Sequence, residues 1–257
     1  MPLTETPTLT VRSLLVWGLL AGLVGGLLAF GFASVFGEPA VERAIALEES
    51  AGGHSHGGDG HSHAEEPAEE PADEPVSRAF QATGGLGIGA VAYGLGLGGL
   101  FGIAFAFAYG RVGRLTPRAT ALALAGFGYV AVVLVPFLTY PANPPAVGQA
   151  GTIEERTALY FAMIAVSVVT AVLAGAATTR LTPRLGGWPA GVLAAVGYVV
   201  VVTAVAKLLP SYREVPDGFP GDLLWEFRIA SLGTSAVLWA GIGVVFAVLL
   251  HRGAARR

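Results

Sequence analysis

The chain has no cysteine, a single lysine at Lys207, and few charges of either sign. Asp, Glu, Lys and Arg make up 13% of its 257 residues, about half the ~25% of an ordinary soluble chain. Without cysteine there is no disulfide framework, no thiolate metal site and no cysteine nucleophile. With so little charge, a folded core of this size has too little polar surface to stay in water. Also missing are a P-loop, a G-x-S-x-G elbow, an H-E-x-x-H helix and any pair of carboxylates inside an apolar run. The chain therefore reads as a non-enzyme. Its bases are too few and too dispersed for a nucleic-acid surface. The 37 glycines follow no G-X-Y period, and 53% apolar content rules out wholesale disorder. What remains is a polytopic membrane protein.

A bilayer core about 30 Å thick needs ~20 apolar residues at 1.5 Å each. Six stretches meet this, roughly 13–36, 82–109, 118–140, 158–179, 188–209 and 229–250, and none contains an acidic residue. They must be α-helices, because open backbone cannot be satisfied in lipid, and they are too long and too uniform for barrel strands. The expected fold is all-α, an integral membrane protein of about six transmembrane helices. Residues 1–36 form a tail and the first helix, 37–79 an extracytoplasmic acidic loop, and 80–257 five further helices. The first apolar run, Leu14 to Phe36, exceeds the 7–15 residues of a signal-peptide core, and no A-x-A site follows it. An uncleaved anchor is expected.

The net charge of -3 conceals a division. With the N-terminus inside, the inner segments hold nine bases and one acid, and the outer segments six bases and seventeen acids. The positive-inside rule then places both termini in the cytoplasm of a multi-pass cell-membrane protein and the 37–79 loop outside. Trp188 and Trp225 fall at span ends, where interfacial tryptophans belong. Lys207, near the outer end of the fifth span, is expected to snorkel to the interface.

Arg114-Leu-Thr-Pro-Arg118 recurs as Arg180-Leu-Thr-Pro-Arg184, 66 residues later. A Gly-Tyr-Val triplet follows each copy, at Gly128–Val130 and Gly197–Val199, and a proline-rich exit follows each span. Spans 2–3 and 4–5 are thus expected to be a repeated helical hairpin; parallel repeats are common in transporters. The alternative is that the motif is a convenient inner turn, a proline at the first helical position flanked by positive charge. Glycines at helical spacing, Gly18/Gly22/Gly26, Gly85/Gly89 and Gly94/Gly98/Gly102, are expected to let helix backbones touch.

Chemistry concentrates in the outer loop. His54, His56, His61 and His63 lie within ten residues as two H-x-H pairs, with Asp59 between them. Neutral imidazoles bind zinc, copper, nickel, cobalt and iron, and the intervening glycines let one flexible segment close around an ion. Ordering it costs ~1–2 kcal/mol per residue, so capture and release suit it better than storage. The plain alternative is an acidic tether with incidental histidines. Other acids, Glu154, Glu155 and Glu214 among them, share this face and would raise the local concentration of divalent cations. Glu38, Asn143 and Glu226 lie near span ends among prolines, where broken helices present oxygen ligands, and are the candidates for a path or vestibule.

The order of segments resembles the CbtA family of predicted cobalt transporter subunits. The resemblance rests on Phe36-Gly37-Glu38-Pro39 leading to Arg43-Ala44-Ile45-Ala46-Leu47-Glu48-Glu49, the His-rich loop, Val135-Pro136-Phe137-Leu138, Tyr140-Pro141-Ala142-Asn143-Pro144-Pro145, and Phe219-Pro220 with Leu223-Leu224-Trp225. It covers about residues 10 to 250. It implies cobalt uptake linked to cobalamin synthesis and a small single-span His-containing partner, CbtB; cobalt as the ion comes from this resemblance alone, since ligand type does not name the ion, the general affinity order favours copper over nickel, zinc and cobalt, and nickel or zinc stand as alternatives. No tightly bound cofactor is expected. The family is described with five spans, whereas six are counted here. Two readings follow: a transporter of a divalent transition metal with an external collector, or a membrane-anchored accessory or sensor handing metal to another permease. The absence of Asp, Glu and His inside the spans weighs against the first.

Overall fold

Among the residues that the structure describes, six helices are long and apolar enough to cross a membrane: Val11–Ser50, Arg78–Ala108, Pro117–Thr139, Ile153–Leu185, Gly187–Leu208 and Gly221–Gly253. The computed structural model describes residues 10–52, 77–111 and 115–255, and among these there is no strand. The six expected spans are all present. Consecutive spans run in opposite directions. One end of the bundle therefore carries the loops 140–152 and 209–220 (the loop face), and the other carries Arg12, Arg111, Arg118, Arg180, Arg184 and Arg252 (the basic face).

The first span starts at α1 (Val11–Phe32), where the Thr10 hydroxyl oxygen accepts the Ser13 N–H at 3.3 Å. It passes through a π-helical segment, π1 (Ala33–Gly37), into α2 (Glu38–Gly52). The loop expected from residue 37 thus begins as helix. Its Glu- and Ala-rich sequence favours helix, and Ala40 and Ala44, one turn apart, are fully packed against Leu223. The second span joins α3 (Arg78–Phe80), π2 (Gln81–Gly85) and α4 (Leu86–Ala108). The third joins α5 (Pro117–Gly128), π3 (Tyr129–Leu134) and α6 (Val135–Thr139). Two of the π segments have a common cause. A proline ring collides with the carbonyl four residues earlier, Val35 for Pro39 and Val132 for Pro136. Both carbonyls lie inside a π segment, whose wider turn makes room.

The remaining spans are α7 (Ile153–Leu185), α8 (Gly187–Leu208) and α9 (Gly221–Ala255). The two RLTPR copies do different work. In the first, Thr116 caps α5 and Pro117 opens it; in the second, Pro183 lies in the last turn of α7. The position of the turn explains this. A left-handed glycine reverses the chain before the first copy, Gly110 at φ 78°, and after the second, Gly186 at φ 84°. The hairpins also pack differently: α7 lies along α8, while α4 lies along α1 and α5 along α9.

Two cores result. In lipid, apolar side chains gain little by turning inward, so helices associate where backbones approach closely. The Gly18/Gly22/Gly26 stripe of α1 faces Gly94/Gly98/Gly102 of α4, as expected; a Cβ on Gly94 would lie 2.9 Å from Gly26 Cα. Gly89, by contrast, faces open space. The sixth span is the central post. Gly241 of α9 meets Gly25 of α1, and Phe246 packs edge-on to Phe101 and Phe105 of α4 at centroid distances of 5.2 and 5.1 Å. Trp239 fills the space over Gly128. The second core joins Met163 and Ala171 of α7, Tyr198 and Val202 of α8, and Ala131 of π3.

Candidate functional site

On the loop face, each of the three oxygen-bearing residues singled out near the span ends meets an arginine. Glu38 opens α2, and its carboxylate pairs with Arg78 at 2.5 Å. Glu226, in the second turn of α9, pairs with Arg43 of α2, whose Nε also donates to Pro39 O at 3.1 Å. Asn143 Oδ1 accepts from Arg228 Nη2 at 3.1 Å, while Arg228 Nε donates to Ala142 O at 3.2 Å. Each of these oxygens is engaged by an arginine; together the pairs tie α3 to α2, and α2 and the 140–152 loop to α9. Among the described residues, no group of three or more His, Asp or Glu side chains could hold a metal ion. His54, His56, Asp59, His61 and His63 lie outside the described residues.

A fourth clasp was not foreseen as such. The Glu214 carboxylate, almost fully buried, receives Thr152 Oγ1 at 2.5 Å, Arg156 Nη1 at 2.6 Å and the Gln149 N–H at 3.2 Å. The Thr152 hydroxyl first, and the Arg156 charge after it, hold this carboxyl below its ordinary value, against the opposing pull of desolvation. Beside it, desolvation pushes the Tyr212 phenol up to about 12, aided by its hydrogen bond to Glu155 and the charges of Glu155 and Glu214. Tyr140, at the end of the third span, donates to Pro210 O at 2.8 Å. The loops after the third and fifth spans are thus laced together. The arginines and Glu214 gave no local signal, because their partners lie 40 to 183 residues away.

An open groove of about 460 Å³ lies between the end of α2 and the 144–149 loop, with Glu48 and Arg156 on its wall. The described chain ends four residues beyond Glu48, at Gly52, where the histidine segment begins.

Many hydroxyls inside the spans are spent on their own helix: Thr120, Thr139, Thr178, Ser231 and Thr234 each donate to the carbonyl four residues back. Among the described residues, two hydroxyl contacts cross between membrane-spanning helices. Tyr129 donates to Leu232 O at 3.4 Å, and Ser167 and Tyr198 share a fully buried hydrogen bond of 2.7 Å. Both tyrosines are the central residues of the Gly-Tyr-Val triplets.

Such a molecule can cross a bilayer six times, keep a closely tied, charge-rich loop face, and offer oxygen atoms in place of intramembrane carboxylates. No curated protein and no solved structure matches the chain. A family model described as "Probable cobalt transporter subunit (CbtA)" matches residues 11–251, from the first turn of α1 to the last turns of α9. The resemblance of the loop motifs thus extends through every span, and the chain belongs to the CbtA family of probable cobalt transporter subunits.

Proposed function

We propose that this subunit moves a divalent transition-metal ion, cobalt foremost, across the cell membrane into the cytoplasm, with the basic face and both termini inside. The carrying observation is family membership over residues 11–251; nickel and zinc remain in competition at the level of ligand chemistry. The direction is supported by charge, since the loop side of the sequence carries nearly all the acids and would concentrate cations where they enter. In this reading His54, His56, His61 and His63, with Asp59, collect the ion outside. Glu38, Asn143 and Glu226 border the vestibule it enters, their arginine partners setting when those oxygens are free. A small single-span CbtB-like subunit completes the assembly in the lipid bilayer.

The test of the collector is cobalt uptake by cells making the chain with all four histidines replaced by alanine. Uptake falls severalfold at submicromolar metal and recovers at high metal; uptake unchanged at low metal removes the collector. A second reading is favoured by one observation, that no Asp, Glu or His lies inside the apolar stretches. It makes the chain an accessory or sensor that hands its ion to a separate permease. Flux through vesicles holding only this chain and its small partner separates the two.

A further inference from the structure

α2 leaves the first span through π1 and lies against the opening turns of α9. Its seat is shallow. Ala40 and Ala44 are buried against Leu223, whereas residues 46–50 are all exposed. Methyl side chains bury little apolar area, so this contact alone holds the helix weakly. Open grooves flank it. One, of about 350 Å³, has Arg43, Ala46 and Leu47 of α2 on one side and Pro220, Asp222 and Leu223 on the other. The second is the groove of about 460 Å³ beside Glu48. Arg43 ties this part of α2 to Glu226 of α9, and both side chains are half exposed. An exposed pair contributes little in water and less in salt. The base of the helix is held differently. Glu38, its first residue, is mostly buried and pairs with Arg78 of α3.

We propose that α2 is a strap across the loop face, hinged at π1 and latched by Arg43 on Glu226, that lifts to give the ion access to the vestibule. This rests on the transport reading above. π1 suits a hinge. None of its residues is buried, and Pro39 just beyond it offers no N–H to the Val35 carbonyl, so the helical ladder is already interrupted there. The Glu38–Arg78 pair lies at the pivot and stays closed while the far end moves. Lifting frees the Glu226 carboxylate and uncovers Leu223, which is 3% exposed with α2 seated. Leu223 stands between the charged Asp222 and Glu226, before the apolar stretch 229–250, so water reaches it once α2 has lifted.

The absence of native cysteine makes the strap testable by thiol labelling. Leu223→Cys, Ala40→Cys and the exposed Ala46→Cys are each treated, in the purified full chain, with a charged, water-soluble maleimide. Thiols react as thiolates, which need water. Leu223→Cys and Ala40→Cys react severalfold more slowly than Ala46→Cys at low salt. Adding Arg43→Gln, or raising the salt, quickens both severalfold and leaves Ala46→Cys unchanged. Rates at the two buried positions that equal that of Ala46→Cys from the start, or that ignore both treatments, overturn the strap. Joining Ala46→Cys to Asp222→Cys across their shared groove with a short bis-maleimide stops cobalt flux into vesicles. A joined protein that carries cobalt at the unjoined rate overturns the gating. Labelling is read without reference to flux. A chain that labels in this pattern but carries no cobalt keeps the strap and loses the transport reading.

Discussion

A Cβ on Gly98 would lie 2.6 Å from Gly22 Cα, against backbone that cannot move aside. Gly98→Val therefore drives α1 from α4 and costs ~1–3 kcal/mol by overpacking, read as a lower unfolding temperature in detergent. Gly89→Ala enters open space, gains up to ~1 kcal/mol of helix propensity, and leaves that temperature equal or higher. The stripe was legible because glycines four apart in an apolar run have few other uses; which of two such stripes found a partner was not. Glu214 behaves differently. Its carboxyl is held below the ordinary value by Thr152 and Arg156, so the stability it lends is complete above the unfolded-state value, near ~4.3, and is lost as pH falls through the lowered one. Hydrogen exchange at the Gln149 amide, corrected for its intrinsic rate, stays slow from neutral pH to about 4 and quickens below. In Glu214→Ala it is fast throughout; slow exchange in that variant would show that the clasp does not hold the loop.

At the level of elements, the apolar runs announced all six helices, because a span has only one solution in lipid. Their ends were less legible. The helix past Phe36 carries polar residues on an apolar scaffold, and its spacing of Ala40 and Ala44 acquires meaning only beside Leu223, some 180 residues away. The second RLTPR copy looked like a helix start, yet a proline in a last turn is tolerated where few further bonds depend on it, and Gly186 decides the break. The central role of α9 was hidden for a similar reason. Its glycines, Gly233, Gly241 and Gly243, meet Phe32 and Gly25 of α1 and Ala125 of α5, and form no single stripe. α2 is the element most easily tested alone. Ala44→Leu overfills its contact with Leu223 by three carbons, at ~1–3 kcal/mol. It should release α2 from α9, exposing Arg43 to trypsin with little effect on the unfolding of the six spans. Cleavage at the native rate would mean that the Arg43–Glu226 pair holds α2 without the alanine contact.

For the molecule as a whole, polarity is the property most fully written in the sequence. Among the described residues, six bases and no acid lie toward one face and ten acids with six bases toward the other, and on the acidic one the arginines are the minority that organise the acids. What composition could not disclose is that Glu38, Glu226 and Asn143 are already engaged, since that depends on which span lies beside which. Orientation is checked by a protease site inserted at Gly58. Cutting from outside intact cells agrees with the charge rule, and cutting only after permeabilisation reverses the topology. The central claim, that an ion crosses by way of this subunit, meets its most direct test in radiolabelled cobalt flux into proteoliposomes containing the purified chain, alone and with its small single-span partner, with binding measured on the same samples. Saturable cobalt entry in at least one preparation, absent from empty vesicles, is the predicted result; binding without entry in both would contradict it.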